Sequence, residues 1–515
     1  MEKVNLDALV PREDFEASGQ NNMGNLFQNI SVASYSTGLF YPFLRKPDFQ
    51  RETNDWDAVK IYEFLESYIN GDLIPSIILW RSNSGYYFVI DGAHRLSAIT
   101  AWLFDDYGDG EISNKFYDGN IPEEQKEIAK RTRNMINSKI GSYKEITAST
   151  VNPTEANPQY LKIAQNIGAY SIQVQWVPGD ATKAEHSFFN INQQGVQLNK
   201  TEIKLLESRH KGNCIAARAI KSAGKGHKYW ANFSATNQKQ IQEISEEINK
   251  ILFSPPLKTP VKSLELPIAG KLTASQTLPL ILDFINIVNK IPVDFKEDLK
   301  DDINGDDTLK YLQRVRKIAW RINSVHPSSL GLHPIIYFYS SDGRHKTASF
   351  YAIISWLLET ESKNAFKDFI QVREQFEKLL LKYDYLIQDI NRSYRQAIKS
   401  FPHIKNFYNE CIAQLKAGID IDDAISNIIK KSNYHYLKID NTKTFITSAD
   451  FSTERKSAVF IQDALKSALK CKICNGLIHP NSITIDHIQR KQDGGTGNID
   501  NGQVAHPYCN STVKN

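Results

Sequence analysis

The chain is poor in the residues that small extracellular scaffolds rely on. Five of its 515 residues are cysteine (Cys214, Cys411, Cys471, Cys474 and Cys509) and only three are methionine. Disulfide-dense secreted domains place an even number of cysteines over a short chain, and that organisation is excluded here. Long uninterrupted apolar runs are also missing. The two longest apolar stretches, 278–288 and 335–358, are broken by Asp283 in the first and by Asp342, Arg344, His345 and Lys346 in the second. Neither reads as a membrane span. The first twelve residues carry Glu2, Lys3, Asp7 and Arg12 and lack the apolar core of a signal peptide. Nor is there much charge of one sign: 62 basic and 58 acidic residues leave +4. This does not announce a nucleic-acid binder, but it permits one with a local basic surface. These absences point to a cytoplasmic protein without a membrane segment, whose clustered cysteines are spent on metal.

What is present is an ordinary globular composition, 41% hydrophobic and 23% charged, in a chain long enough for several domains. Residues 1–30 are polar and weakly patterned. Val59, Tyr62, Leu65 and Ile69 recur at helical spacing, so a helix is expected over 56–70, opened by Asp55 and closed by Gly71. Strands are expected at 76–80 and 86–90 around a turn at Asn83-Ser84-Gly85. The second strand runs straight into Asp91-Gly92-Ala93-His94-Arg95 and a helix bearing Leu96, Ile99 and Leu103. A polar insertion follows over 105–160, then a strand at 171–177. Residues 210–450 read mainly as helix, with a breaker-poor stretch over 364–400. A short helix from about Thr453 leads into the cysteine-rich end.

That end carries the most specific signal. Cys471-x-x-Cys474 and His506-x-x-Cys509 are two pairs with metal-knuckle spacing, able to close a tetrahedral Cys₃His zinc site. So small a segment cannot bury enough core to fold alone, so metal would supply much of its stability. Between the pairs lie Ile485-Asp486-His487-Ile488, Gly494-Gly495 and Asn498 to Asn501; Asn510 follows the second pair, and His479 reads as a surface residue outside the pattern. Hydrolysing a phosphodiester calls for an activated water and a divalent ion, for which a neutral histidine, a carboxylate and an amide oxygen are suited. Residues 471–510 resemble the HNH endonucleases of the ββα-metal superfamily, with His at one zinc position and Asn as the last letter of the motif. The resemblance implies that His487 is the general base, that Asp486 and Asn510 hold Mg²⁺ or another divalent ion, and that Asn501 braces the loop orienting His487.

The Asp91-Gly92 turn has companions: Pro47-Asp48-Phe49-Gln50-Arg51, Trp56, Ile74-Pro75, Phe188 to Asn192, Gly195 and Leu198 to Glu202. At a strand-to-helix turn, unpaired N–H groups favour anions, Gly92 admits a phosphate to the backbone, and Arg95 and Arg51 can fork onto its oxygens. Asp91 could hold a metal ion or orient a water. Alternatively, Asp91 and Arg95 only brace the turn. Residues 35–210 resemble the GmrSD-type family, whose N-terminal domain has a ParB/sulfiredoxin-like fold; Ala93 stands where that family's turn usually has Gln. The resemblance implies binding or hydrolysis of a nucleoside triphosphate and sensing of modified DNA, with Gln50, Arg51, Asp91, Gly92, His94, Arg95 and Asn192 as the site. Asp342-Gly343-Arg344-His345 lacks these companions and reads as coincidence. The basic residues between Lys200 and Lys228 could touch DNA or simply be solvated.

The expected class is α+β: a ParB/sulfiredoxin-like sensing domain over 1–210, a mainly helical domain over 211–450 and a zinc-bound ββα-metal domain over 451–515. The expected function is that of an anti-phage restriction endonuclease, modification-dependent and regulated by nucleotide, acting on DNA such as modified phage DNA and compatible with homo-oligomers. Two alternatives stay open. One is a nucleotide- or DNA-binding regulator with a structural zinc module, and the other a ribonuclease or toxin-like nuclease.

Overall fold

Alternation of side chains along the hairpin at 77–91 gives the N-terminal sheet two apolar faces. The computed structural model describes residues 2–15, 26–36, 40–50, 52–194, 204–205, 207–274, 276–293, 295, 298–439 and 450–513. They group into two compact units, 1–209 with 225–229, and 210–224 with 230–515. The first unit is α+β. Its strands are β1 (Arg12–Glu13), β2 (Asn29–Ser31), β3 (Leu44–Pro47), β4 (Ile77–Arg81), β5 (Tyr87–Asp91) and β6 (Ser171–Trp176), in the order β1-β3-β5-β4-β6-β2. β4 and β5 are antiparallel, and each has a parallel neighbour on its other side: β3 beside β5 and β6 beside β4. Leu79 and Val89 face one core with Leu65, Leu96, Ile99 and Trp102 from the helices Ala58–Asn70 and Ala93–Leu103. Trp80, Phe88 and Ile90 face a second, aromatic core with Phe15, Phe49 and Phe188. The period-two alternation of a strand accounts for both.

Two local expectations are corrected. The helix at 58–70 is capped by Asp57, whose side chain accepts from Lys60 N, and not by Asp55. The backbone N–H of Asp55 lies 3.4 Å from His94 Nε2 instead. Residues 1–30, polar in overall pattern, contribute Val4, Leu6, Leu9 and Val10 to the first core and Phe15 to the second. Two of their charged side chains, Asp7 and Arg12, are drawn inward as well. The carboxylate of Asp7 meets Lys46 Nζ at 2.6 Å and Arg12 Nη2 at 2.9 Å, and it accepts from Thr53 N at 2.9 Å. Burial opposes the charge on Asp7, but the two cations and the Thr53 N–H hold its pKa far below the usual carboxylate range.

The second unit is a stack of helices, among them Gly212–Lys221, Ala235–Phe253, Thr277–Asn289, Asp306–Ile322, Thr347–Ser362 and Phe366–Lys382. The stretch 364–400 is not continuous. It breaks after Lys382, resumes over Asp384–Tyr394, and after Arg395 (φ 61°) continues as Ala397–Lys416. The break lets Leu386, Ile387 and Ile390 turn inward, and the Asp384 carboxylate pairs with Lys346 Nζ. Near the end of the unit, β7 (Thr484–His487) pairs antiparallel with β8 (Gly502–Ala505). Among the described residues, no helix is long and apolar enough to cross a membrane.

Lys46→Met is expected to destabilise the first unit by about 3 kcal/mol, because it removes one of the two cations from a buried carboxylate. Urea unfolding followed by tryptophan fluorescence would show a lowered midpoint; an unchanged midpoint would mean that the network contributes nothing to stability.

Candidate functional site

The two cysteine-bearing knuckles come together as the spacing requires. Cys471, Cys474, His506 and Cys509 are all buried, and their ligand atoms lie within 4.8 Å of one another. A tetrahedral zinc ion with Zn–S bonds of ~2.3 Å needs donor separations of about 3.8 Å, so small adjustments close the site. The imidazole is already aimed. His506 Nε2 faces Leu477 O at 3.0 Å, and Nδ1 lies 3.4 Å from Cys474 Sγ. A backbone carbonyl on one ring nitrogen favours the tautomer that turns the other nitrogen's lone pair toward a metal. The donor set and its geometry fit structural zinc.

Beside this cluster, the β7–β8 register sets Asp486 opposite Gln503 and His487 opposite Gly502. Asp486 is buried and its Oδ2 accepts from Gln503 Nε2 at 2.7 Å. Half-buried His487 closes the strand. Asn510, in the helical turn after Cys509, donates from Nδ2 to Ile485 O at 3.3 Å and to Thr484 Oγ1 at 3.4 Å. That holds Asn510 against β7 next to Asp486 and makes Oδ1 the end a cation would take. Asn501 spans the loop that leaves His487. Its Oδ1 accepts from Gln489 N at 2.7 Å, and its Nδ2 donates to Gln489 O at 3.1 Å and Thr496 O at 2.8 Å. Ile488 N donates to Asn501 O at 2.8 Å. Gly495 belongs to the same device, since a Cβ there would sit 1.9 Å from Gln489 O.

His479 departs from the surface position expected of it. It is 1% exposed, caps Asn481 N through Nδ1, and packs edge-on against His333 at 5.4 Å. Burial lowers its pKa to about 4, so it is a neutral core group. Sequence reading also passed over Arg373 and Glu377, which lie against the metal cluster from the helix Phe366–Lys382. Only their place on the apolar side of that helix, beside Phe369, Ile370 and Phe376, could have flagged them.

In the first unit, a cavity of about 170 Å³ is lined by Gln50, Trp56, Ile90, Asp91, Gly92, Ala93, His94, Arg95 and Phe188. Asp91 ends β5, and Gly92, at φ 99°, caps the helix Ala93–Leu103 in a left-handed conformation natural only to glycine. Asp91 Oδ2 and Arg95 Nη2 form an ion pair at 2.7 Å, and the same nitrogen donates to Ser76 O at 3.2 Å. The bracing reading of this pair is therefore satisfied, while both side chains still face the cavity. Trp56 stacks on His94 at 5.6 Å. Gln50 is fixed by its carbonyl, which accepts from Arg12 Nη1, and its buried Oε1 has no hydrogen-bond partner among the described residues. Arg51, Gly195 and Leu198 lie outside the described residues; Asn192 falls within the helix Ala181–Gln194.

Some of the remaining sequence signals take part in ion pairs and loop contacts. Arg209 pairs with Asp48 at 3.0 Å and Glu185 at 3.1 Å, and His227 faces Asp14. In the Asp342-Gly343 turn, His345 Nε2 lies 3.0 Å from Ile268 O, and exposed Arg344 pairs with Asp342 and Glu454.

Comparison with known families gives two matches, one on each of the two sites. Residues 24–210 match the model of the GmrSD restriction endonuclease N-terminal domain, and residues 471–515 match that of the HNH endonuclease. The two together match a GmrSD-type restriction protein with an HNH end. No curated protein and no solved structure matches the chain.

Cys474→Ser is expected to lose stoichiometric zinc and to open residues 471–513 to protease while the first unit stays resistant. Metal analysis with limited proteolysis checks this; full zinc content in the variant would refute the four-ligand site.

Proposed function

We propose that the chain is a restriction-type DNA endonuclease in which residues 451–515 cut, residues 1–210 sense the state of the DNA with a nucleoside triphosphate, and residues 211–450 form a helical body. The observation that carries the reading is the placement of Asp486 and His487 on β7, with Asn510 bonded to the same strand and Asn501 closing the loop beyond His487. Asp486 and Asn510 would hold a hard divalent ion such as Mg²⁺, which when bound would polarise the phosphate and stabilise the leaving oxygen. His487 takes the proton from the attacking water as its oxygen bonds to phosphorus and the phosphodiester P–O bond breaks. Asn501 acts through the loop, keeping the ring of His487 from drifting. Zinc supplies no chemistry in this scheme; it keeps β7, β8 and the Asn510 turn in place.

At the N-terminal cavity, the Asp91-Gly92 turn offers a helix N-terminus and Arg95 to an anion, with Trp56 and Phe188 as apolar walls. Such a lining suits a nucleotide, whose binding would make cutting conditional on the sensing domain. Modified phage DNA is the substrate this arrangement would police.

His487→Ala is expected to lower Mg²⁺-dependent plasmid cleavage by roughly 10²–10⁴-fold with zinc content unchanged. The assay includes nucleoside triphosphates, modified DNA and a single-stranded RNA competitor. Supercoiled plasmid left equally intact by wild type and variant would end the endonuclease reading, and preferential loss of the RNA would redirect it to a ribonuclease. Asp91→Ala and Arg95→Ala are expected to lower triphosphate turnover without changing zinc content. Turnover equal to wild type in both would remove the N-terminal site.

A further inference from the structure

We propose that Arg373, on the helix Phe366–Lys382, is a positioning residue of the zinc centre, so that the four-ligand site is completed by a guanidinium from the helical region. The side chain is fully buried. Nε donates to Glu377 Oε1 at 2.7 Å, Nη2 to Gly331 O at 2.9 Å and Nη1 to Leu330 O. Nη1 also lies 3.2 Å from His506 Nδ1, the nitrogen that faces Cys474 Sγ. The guanidinium therefore stands at the edge of the donor set.

Glu377 grips the same knuckle from its backbone side. Its Oε2 accepts from Leu477 N at 2.9 Å, and its Oε1 also accepts from Tyr337 Oη at 3.0 Å. Leu477 is in turn the residue whose carbonyl faces His506 Nε2. One ion pair thus reaches both the ligand ring and the peptide that orients it. The chain is cut to fit: a Cβ on Gly476 would fall 2.3 Å from Arg373 Nε, and one on Gly331 would fall 2.4 Å from His506 Cδ2.

Charge explains why a guanidinium is useful there. Zinc with three thiolates and a neutral imidazole carries a formal charge of about −1, and an uncompensated buried charge is costly. A cation fixed by three hydrogen bonds beside the cluster offsets that charge and holds its place against the His506 ring. Lysine would supply the charge but not a planar fork able to serve Glu377, two carbonyls and the metal ligands together.

The test uses the full-length chain, with zinc affinity read by chelator competition and ligand geometry read from the visible bands of the Co²⁺-substituted protein. Arg373→Met is expected to weaken zinc binding roughly 10–100-fold and to displace the cobalt bands. Arg373→Lys, which keeps the charge and so safeguards folding, is expected to show a smaller change in the same direction. Lys346→Met breaks another buried ion pair of this unit, with Asp384, and is expected to leave affinity and spectrum unchanged. Wild-type affinity and bands in either Arg373 variant would overturn the proposal. So would an equal loss of zinc affinity in Lys346→Met, which would trace the effect to general stability. Neither readout involves cleavage, so the result stands apart from the nuclease reading.

Discussion

The buried ion pair between Arg373 and Glu377 is the contact on which the C-terminal site rests. Two charges withdrawn from water cost several kcal/mol each unless their hydrogen-bonding capacity is met. Here Glu377 accepts from Arg373, Tyr337 and Leu477, and Arg373 donates to Glu377, Leu330 and Gly331. Removing either partner would strand the other in the core. Around the pair, Ser482 meets Ser329 and Ser324, Tyr508 N donates to Ser329 O, and Ser511 donates to Pro327 O. The short β7–β8 sheet has little core of its own, and these contacts with residues 324–377 give it one. The position of His487 on β7 is thus fixed at one remove by side chains far earlier in the chain.

The first unit uses a similar device. Asp7, Arg12 and Lys46 form a buried charge cluster, and Arg12 extends it to the carbonyl of Gln50. That anchors the segment bearing Gln50 where it lines the cavity across from the Asp91-Gly92 turn. In both units a buried charge cluster holds a backbone group of a site segment, the Gln50 carbonyl through Arg12 in the first and the Leu477 N–H through Glu377 in the second. Such bonds are directional and tolerate little displacement, so they specify position more sharply than apolar packing does.

What could be read from sequence follows from the range of the interactions involved. The metal ligands were legible because each pair is made within one tight turn, and the hairpin at 77–91 because strand alternation and an Asn-Ser-Gly turn are local signals. The Asp91-Gly92 turn was legible for the same reason. The charge clusters were not. Only its place on the apolar side of a helix distinguishes Arg373 from an exposed arginine, and nothing local distinguishes Asp7 and Lys46 from solvated charges, because their partners are brought together only by the fold. His479 was misread because a histidine in a polar loop gives no sign that His333 waits beside it. The break between Lys382 and Asp384 escaped notice because neither proline nor glycine marks it; the turn answers to the packing of Leu386, Ile387 and Ile390.

This difference in range bears on how the nuclease end should be delimited. The family match covers 471–515, because that is where the ligands and the Asp486-His487 pair reside. The groups that orient those ligands do not share the segment: Arg373, Glu377, Gly331 and Ser329 all precede it. A piece cut at the motif's edge would keep every ligand and lose the guanidinium beside His506, the carboxylate on Leu477 N and the serine beneath Ser482. Metal binding would then have to supply alone the order that the helices now share with it. In physical terms the cutting module extends back into the helices, and a sequence motif marks only the part of it whose interactions are short-range.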